Sequence, residues 1–492
     1  MNGFIHAGIA PLEGIEALNA RVRYDLDCLN LPPKNWVPER TGPRGEAVQD
    51  VVIVGGGMCG LVAAFALRCG GIGNFRIFDR SPEGQEGPWM TYARMETLRS
   101  PKTLPGPAFG MGCLTFRAWY EAQFGPEEWE RLDKIPRPMW MDYLRWYRGV
   151  LDLPVENGVE LLRVTPEGDL LRLHLKGAEA PSVLTRRLVM ATGRDGTGAP
   201  NIPRFVAPLP RQAWAHSADK IDFASLKGKR VAVIGVGASA VDNAAEALEH
   251  GAAEVRHLIR RAEMPTINKM MGIGSFGFTH GYRDLNDAWR WRFMHYSFVT
   301  QTPAPRGSTL RVSRHPNAHF HFSAAVEGAR MDGDEIVIST PNGDLRTDFL
   351  ILGTGFHIEP AARSELGDAA EQILLWKDVY APPPELKHAE LGNFPYLARD
   401  FAFQEREPGS APWLSRVHCF NFGASVSMGK VSGDIPGISE GASWLASALA
   451  AAFYREDIET HWQGYLDYDI PELQGDEWRV SDWPKQKKRS AA

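Results

Sequence analysis

Two stretches of this sequence pass through the same order of residues: an uninterrupted apolar run, a glycine-rich turn, an alanine-rich segment with helical spacing, and a second apolar run. The first is VVIVGGGMCGLVAAFALRCGGIGNFRIFDR from Val51, and the second is RVAVIGVGASAVDNAAEALEHGAAEVRHLIRR from Arg230. An apolar run without alternation reads as a strand buried on both faces, and a strand that feeds a helix through glycines belongs to a parallel sheet. In the first turn Gly55 permits the tight reversal, Gly57 lets a pyrophosphate approach the backbone, and Gly60 allows helix and strand to pack closely. Gly235, Gly237 and Ala240 hold the same places in the second. Each pass later returns through a β-meander to a turn of small residues, LVMATGRDG around Thr192 and FLILGTGFHIEP around Thr354. The expected fold class is therefore α/β, with two Rossmann-like dinucleotide-binding domains.

The strands that follow the two helices end in opposite charges. Asp79, with Arg80 after it, can accept hydrogen bonds from ribose hydroxyls, which suits FAD as the first dinucleotide. Arg260 and Arg261 can instead grip a ribose 2′-phosphate that a carboxylate would repel, so the second site is expected to prefer NADPH; two arginines solvated at a strand end are the alternative. The expected plan is a discontinuous FAD domain, residues 49–215 and 348–460, with the NADPH domain and a helical insert, 216–347, placed inside it. An N-terminal extension, 1–48, carries one helical pattern from about Pro11 to Leu29 ahead of the proline-rich LPPKNWVPERTGPRG, and a C-terminal tail runs over 461–492.

Composition excludes several other classes. A chain of 492 residues with 44% hydrophobic and 23% charged residues is globular and multidomain. Its net charge of −6 argues against nucleic acid as a partner, and the basic cluster Lys485, Lys487, Lys488 and Arg489 is read as a solvated tail. Cys28, Cys59, Cys69, Cys113 and Cys419 form neither a redox pair nor a zinc-ligand spacing, and no histidine or acid cluster suggests a metal. The N-terminus lacks a basic segment followed by an apolar core, and the uncharged run from Val51 to Leu67 is broken by glycines, so a cytoplasmic chain without a membrane span is expected.

Without two thiols beside the flavin, disulfide reduction is ruled out, leaving attack of reduced flavin on dioxygen or electron delivery to a partner protein. Over roughly residues 50–455 the chain resembles the class B flavoprotein monooxygenases, most of all the N-hydroxylating branch that includes ornithine and lysine hydroxylases. The resemblance rests on EGPWMTYARMETLRSPK from Glu86, TFRAWYEAQFG from Thr115 and PRPMWMDYLRWY from Pro136, with Trp89, Met95, Lys102, Tyr143 and Trp146 in similar places. It implies an FAD enzyme in which NADPH reduces the flavin, dioxygen adds at C4a as a hydroperoxide, and the primary amine of a small polar or anionic substrate such as an amino acid is hydroxylated. Departures from the pattern are Glu96 where the branch carries Gln, Gly353 and Phe356 in the later turn, and no Asn-Glu pair in SFGFTHGYRDLND; they argue against ornithine or lysine itself. The string RQAWAHSADKIDF is only weakly similar to the sulfur-oxidising and Baeyer–Villiger branches, which remain an alternative chemistry.

The expected site follows. Cofactor contacts fall on the turns and strand ends: Gly55, Gly57, Met58, Cys59, Gly60, Asp79, Arg80, Trp89, Thr192 and Gly193 for FAD, and Gly235, Gly237, Ser239, Ala240, Arg260, Arg261, Thr354 and Gly355 around NADPH. A helix starting at Gly437 and Ile438 would aim its N-terminus at the reduced, anionic flavin. Arg99 and Lys102, with Arg94, are the candidate clamp for a substrate carboxylate, and Asn421 is a candidate catalytic polar group. The expected partners are a small-molecule amine or amino acid and dioxygen. The aromatic run DAWRWRFMHYSF suits a packed helix between domains or an oligomer contact, which leaves a homo-oligomer open.

Overall fold

A computed structural model describes residues 14–484. The first pass builds a seven-stranded sheet. Its order is Val155–Asn157, Phe75–Asp79, Val48–Val54, Ser182–Met190, Leu170–Lys176, Glu160–Glu167, with Val417–Cys419 pairing Ser182–Met190 from outside that path. The strands at its centre run parallel, Val54 lying opposite both Phe78 and Met190, while the last two strands of the path form an antiparallel meander. The first-turn helix, Met58–Cys69, is buried along its whole length from Met58 to Leu67, which is why its sequence is apolar on every face.

The second pass builds a five-stranded, fully parallel sheet ordered Ala318–His321, Glu254–Leu258, Arg230–Ile234, Phe349–Leu352, Trp214–His216. The second-turn helix, Ala238–Glu249, packs on it, and an antiparallel meander spans Gly328–Thr347. A short antiparallel pair, Gly198–Pro200 with Phe356–Ile358, ties together the chain segments that leave the two sheets. The mixed α/β class expected from the sequence is the one observed.

The C-terminal helix, Ile438–Glu456, lies against the first-turn helix and is fixed at its far end. There the fully buried Arg186 of the central strand forms an ion pair with Asp457 at 2.8 Å and donates to Glu456 at 3.0 Å, with Asp50 at 3.6 Å and the Phe453 ring beneath it. Removing one member would leave a buried charge unpaired, so the far end of the helix is held in place. The N-terminal helix, Ile15–Cys28, starts later than the pattern from Pro11, whose first residues lie outside the described residues. It docks on the body through Gly14 N–H to the Ala122 carbonyl, and through Trp146 Nε1 to Asn19 Oδ1. The basic cluster at 485–489 also lies outside the described residues. No described helix is long and apolar enough to cross a membrane.

Candidate active site

At the first turn Gly55 has φ +109°, and a Cβ there would sit 2.4 Å from the Ala191 carbonyl oxygen, so only glycine passes. Gly57 caps the helix without a side-chain partner, leaving the N–H groups of its first turn open to an anion. Asp79 bridges this turn to the next strand, its Oδ2 accepting from Gly56 N at 2.7 Å and its Oδ1 from Ser81 N at 2.7 Å. Arg80 is exposed beyond it. Glu86, buried against Arg148 and Asn157, holds the following loop so that Gly87 stands beside Gly57 and Trp89 beside Gly87. Met58 and Cys59 are buried, and burial pushes the Cys59 thiol up to about 12, which makes it inert.

The C-terminal helix completes this cradle. Its cap Gly437 makes no side-chain cap bond, and Ile438 behind it is buried. Cys59 Sγ donates to the Ser432 carbonyl, and Ser432 Oγ to that of Asn421, so the loop before the helix is stitched to the first turn. Asn421 itself is fully engaged: Nδ2 donates to the Met190 carbonyl and to Thr192 Oγ1, both at 3.1 Å, while Oδ1 accepts from Thr197 Oγ1 at 2.7 Å and Gly423 N at 2.8 Å. The expected catalytic amide is instead a brace for the Thr192–Gly193 turn, with its donors spent on protein oxygens.

The second turn repeats the first, with φ +109° at Gly235 and an uncapped helix behind Gly237. Ser239 and Arg260 are exposed beside it. Arg261 donates to Gln301 Oε1 at 3.0 Å and to the Val299 carbonyl at 2.9 Å, which anchors one guanidinium next to Gly237. Thr354 and Gly355 tie the second sheet to residue 201: Thr354 Oγ1 donates to the Asn201 carbonyl, and Asn201 N to that of Gly355. His257 is wholly buried, stacked on Phe320, and burial holds it near pKa 4, so it is neutral packing.

The cationic side chains expected to clamp a substrate carboxylate meet backbone carbonyls. Lys102 Nζ donates to the Trp129 carbonyl at 2.5 Å and lies over the Trp129 ring, and Arg99 Nη2 donates to the Pro303 carbonyl at 2.7 Å. Arg94 donates to the carbonyls of Thr91 and Asp219. These side chains fasten the loop to its surroundings, and the exposed Arg99 spends a single N–H group on that bond. The residue that receives the loop is Arg311, which sequence reasoning missed. Nearly buried, it bonds Glu249 at 2.6 Å, Glu246 at 3.1 Å and the Arg94 carbonyl at 3.0 Å, with Glu96 and Asp242 near by. Burial works most against the charge of Arg311, and its bonds to Glu249 and Glu246 more than reverse the effect.

A second overlooked cation is Arg194, directly after the Thr192–Gly193 turn. Its guanidinium lies flat on the Phe422 ring, 3.6 Å from the centroid, and makes no hydrogen bond or ion pair among the described residues. Its side chain is exposed, and desolvation by neighbouring protein lowers its pKa against the pull of Asp434, Glu390 and Tyr92. Tyr92 bears on it electrostatically, its own phenol pushed up to about 12 by burial and then by Asp195. In the second pass Phe356 occupies the place of Arg194, and this break in the repeat is the signal that could have found it. All five cysteines are free, and among the described residues no group of three or more His, Cys, Asp or Glu could hold a metal.

Both cradles thus fit a dinucleotide pyrophosphate: each has a glycine whose Cβ would strike backbone, and each opens onto an uncapped helix N-terminus. Comparison with known proteins agrees. Residues 52–272 match the family described as pyridine nucleotide-disulphide oxidoreductase. Over 471 residues the chain is 38% identical to the FAD-dependent urate hydroxylase of Xanthomonas campestris pv. campestris, covering 95% of this chain and 98% of that protein. Among solved structures, the reduced ornithine hydroxylase of Pseudomonas aeruginosa superposes with a TM-score of 0.63 at 17% identity, over 82% of this chain and 99% of that one. The ornithine N-hydroxylase of Kutzneria sp. 744, solved with reduced FAD, NADP+ and L-ornithine, gives 0.63 at 20% identity over the same shares.

Proposed function

The chain belongs to the class B flavoprotein monooxygenases, and from that premise we propose that it is an FAD- and NADPH-dependent enzyme that hydroxylates urate. The full-length identity to a urate hydroxylase carries this reading of the substrate. FAD would occupy the cradle of Gly55, Gly57, Asp79 and the C-terminal helix, and NADPH that of Gly235, Gly237 and Arg260–Arg261. The domain plan is then residues 49–215 with 348–460 around FAD, and 216–347 around NADPH. Bound together, the two cofactors supply hydride and the activation of dioxygen: one oxygen atom enters the substrate, the other leaves as water, and NADPH provides two electrons.

The chain's own groups supply position and field. The N-terminus of the C-terminal helix offers partial positive charge where reduced flavin is anionic. The Asn421 brace keeps the Thr192 turn from collapsing into the cleft. The Arg94–Lys102 loop, fastened to Arg311 and Pro303, closes the side of the cleft and restricts water there.

A second reading, N-hydroxylation of the primary amine of a small anionic substrate such as an amino acid, draws on the fold likeness to the ornithine hydroxylases. The engagement of Lys102 and Asn421 with protein atoms disfavours it. The test is NADPH oxidation by the FAD-loaded enzyme in air. With urate, one NADPH should be consumed for each urate lost from the ultraviolet spectrum. Stimulation by ornithine or lysine with formation of a hydroxylamine, and none by urate, would select the second reading instead.

A further inference from the structure

We infer that Arg194 is the anion anchor of the substrate site, its guanidinium, held over Phe422, receiving the negatively charged edge of a planar substrate. The inference rests on the urate reading, since urate is a planar monoanion at neutral pH. Arg194 stands at the carboxyl end of the strand Ser182–Met190, where ligands of open α/β sheets bind. Around it are the first turn's partner Gly193, the Tyr92 segment, and Asp434 just before the cap of the C-terminal helix.

Three observations give Arg194 this role. First, it makes no hydrogen bond or ion pair among the described residues, whereas Arg94, Arg99 and Lys102 donate to protein carbonyls. Its donors face solvent and are committed to no protein acceptor, so a ligand can take them without breaking a protein bond. Second, Phe422 fixes the plane of the fork and is itself held, its N–H donating to the Gly193 carbonyl and its ring packed on Phe394. A pre-oriented fork matches the paired N and O acceptors along the edge of an anionic purine in a way that a lysine ammonium does not. Third, the carboxylates that bear on it, Asp434 and Glu390, form no ion pair with it and leave the fork open; Asp434 pairs with Lys430 at 3.6 Å.

The experiment uses the FAD-loaded enzyme and its Arg194→Met and Arg194→Lys variants. Urate is titrated anaerobically without NADPH, reading the perturbation of the flavin spectrum, and flavin reduction by NADPH is timed separately. Arg194→Met should weaken urate binding about 10- to 100-fold, the range of a lost hydrogen-bonded charge, and Arg194→Lys should fall between. FAD content, the rate of reduction by NADPH, and binding of caffeine as a neutral purine should stay within about twofold of the parent, since none of them needs the charge. Equal losses for urate and caffeine would overturn the proposal in favour of a packing role. Slowed reduction by NADPH with unchanged urate binding would assign Arg194 to the cofactor instead. If the parent enzyme does not bind urate, the urate reading fails, and benzoate and inorganic phosphate then decide the anchor alone. A benzoate or phosphate perturbation that Arg194→Met abolishes keeps the anion site; a perturbation that survives, or none in the parent, removes it.

Discussion

In the first turn the closest approach of helix to strand falls on Gly60, where a Cβ would lie 1.8 Å from the Gly55 carbonyl oxygen. In the second, the helix carries Ala240 at that place, and the room is made opposite, at Gly353, where a Cβ would lie 2.4 Å from that of Ala240. The third small residue of such a turn therefore answers to different neighbours in the two passes, a turn carbonyl in the first and the returning strand's glycine in the second. The surroundings differ as well. The first turn is covered by the Gly87–Trp89 loop, Ser432 and the C-terminal helix, whereas Ser239 and Arg260 leave the second open. A covered cradle suits a group that stays through turnover, and an open one suits a group that enters and leaves at each cycle.

The sharpest test exchanges the two solutions. Gly60→Ala drives a methyl into backbone that cannot move aside, costing about 3 kcal/mol or more, and should yield protein without flavin, read as the flavin-to-protein ratio and the melting temperature. Gly353→Ala should cost about 1–3 kcal/mol and slow flavin reduction by NADPH while FAD is retained. Adding Ala240→Gly should recover most of that loss, less the roughly 1 kcal/mol that glycine costs within a helix. A double variant no better than Gly353→Ala would show that the two residues do not share the contact.

The strand ends give the next effect. Replacing Arg260 and Arg261 with Ala should raise the NADPH KM about 10-fold or more with little change for NADH, since the 2′-phosphate loses charge-assisted bonds. Equal changes for both nucleotides would return these arginines to the solvated reading. Arg261→Ala alone should also loosen Gln301, whose amide it holds, so its effect should exceed that of Arg260→Ala if the anchored guanidinium is the one in use.

The turns, helices and fold class were legible because each depends on neighbours in sequence: apolar strand, glycine, small helical residues. The Gly437–Ile438 helix start was legible for the same reason. The fate of Lys102, Arg99 and Asn421 was not, because their partners are the carbonyls of Trp129, Pro303 and Met190, groups present at every residue and distinguished only by the fold. Arg311 was hidden for a related reason: its acids lie on one face of a different helix, Glu246 and Glu249, and one of its contacts is a backbone oxygen of the Arg94 loop. Arg194 stood in plain view beside a recognised turn, but a charge matters by what fails to pair with it, and the sequence does not display that.

The smallest effect concerns the helices behind the two turns. The first-turn helix carries no acid between Met58 and Cys69, while the second carries the buried Asp242 beside Arg311. Burial, only partly offset by Ser308, Arg311 and Arg99, raises the Asp242 carboxyl from 3.8 to about 6. The folded protein therefore binds this proton more tightly than the unfolded chain, and ionising Asp242 costs stability as pH rises from about 4 to about 6, with no further cost above. Asp242→Asn should accordingly gain stability relative to the parent across that window, by at most about 3 kcal/mol at neutral pH, and hold the difference constant beyond it. Paired denaturant titrations at steps of pH read this directly. A difference that instead grows as pH falls would mean that Arg311 holds the carboxylate ionised, and that the second helix is fastened to the Arg94 loop by charge from the outset.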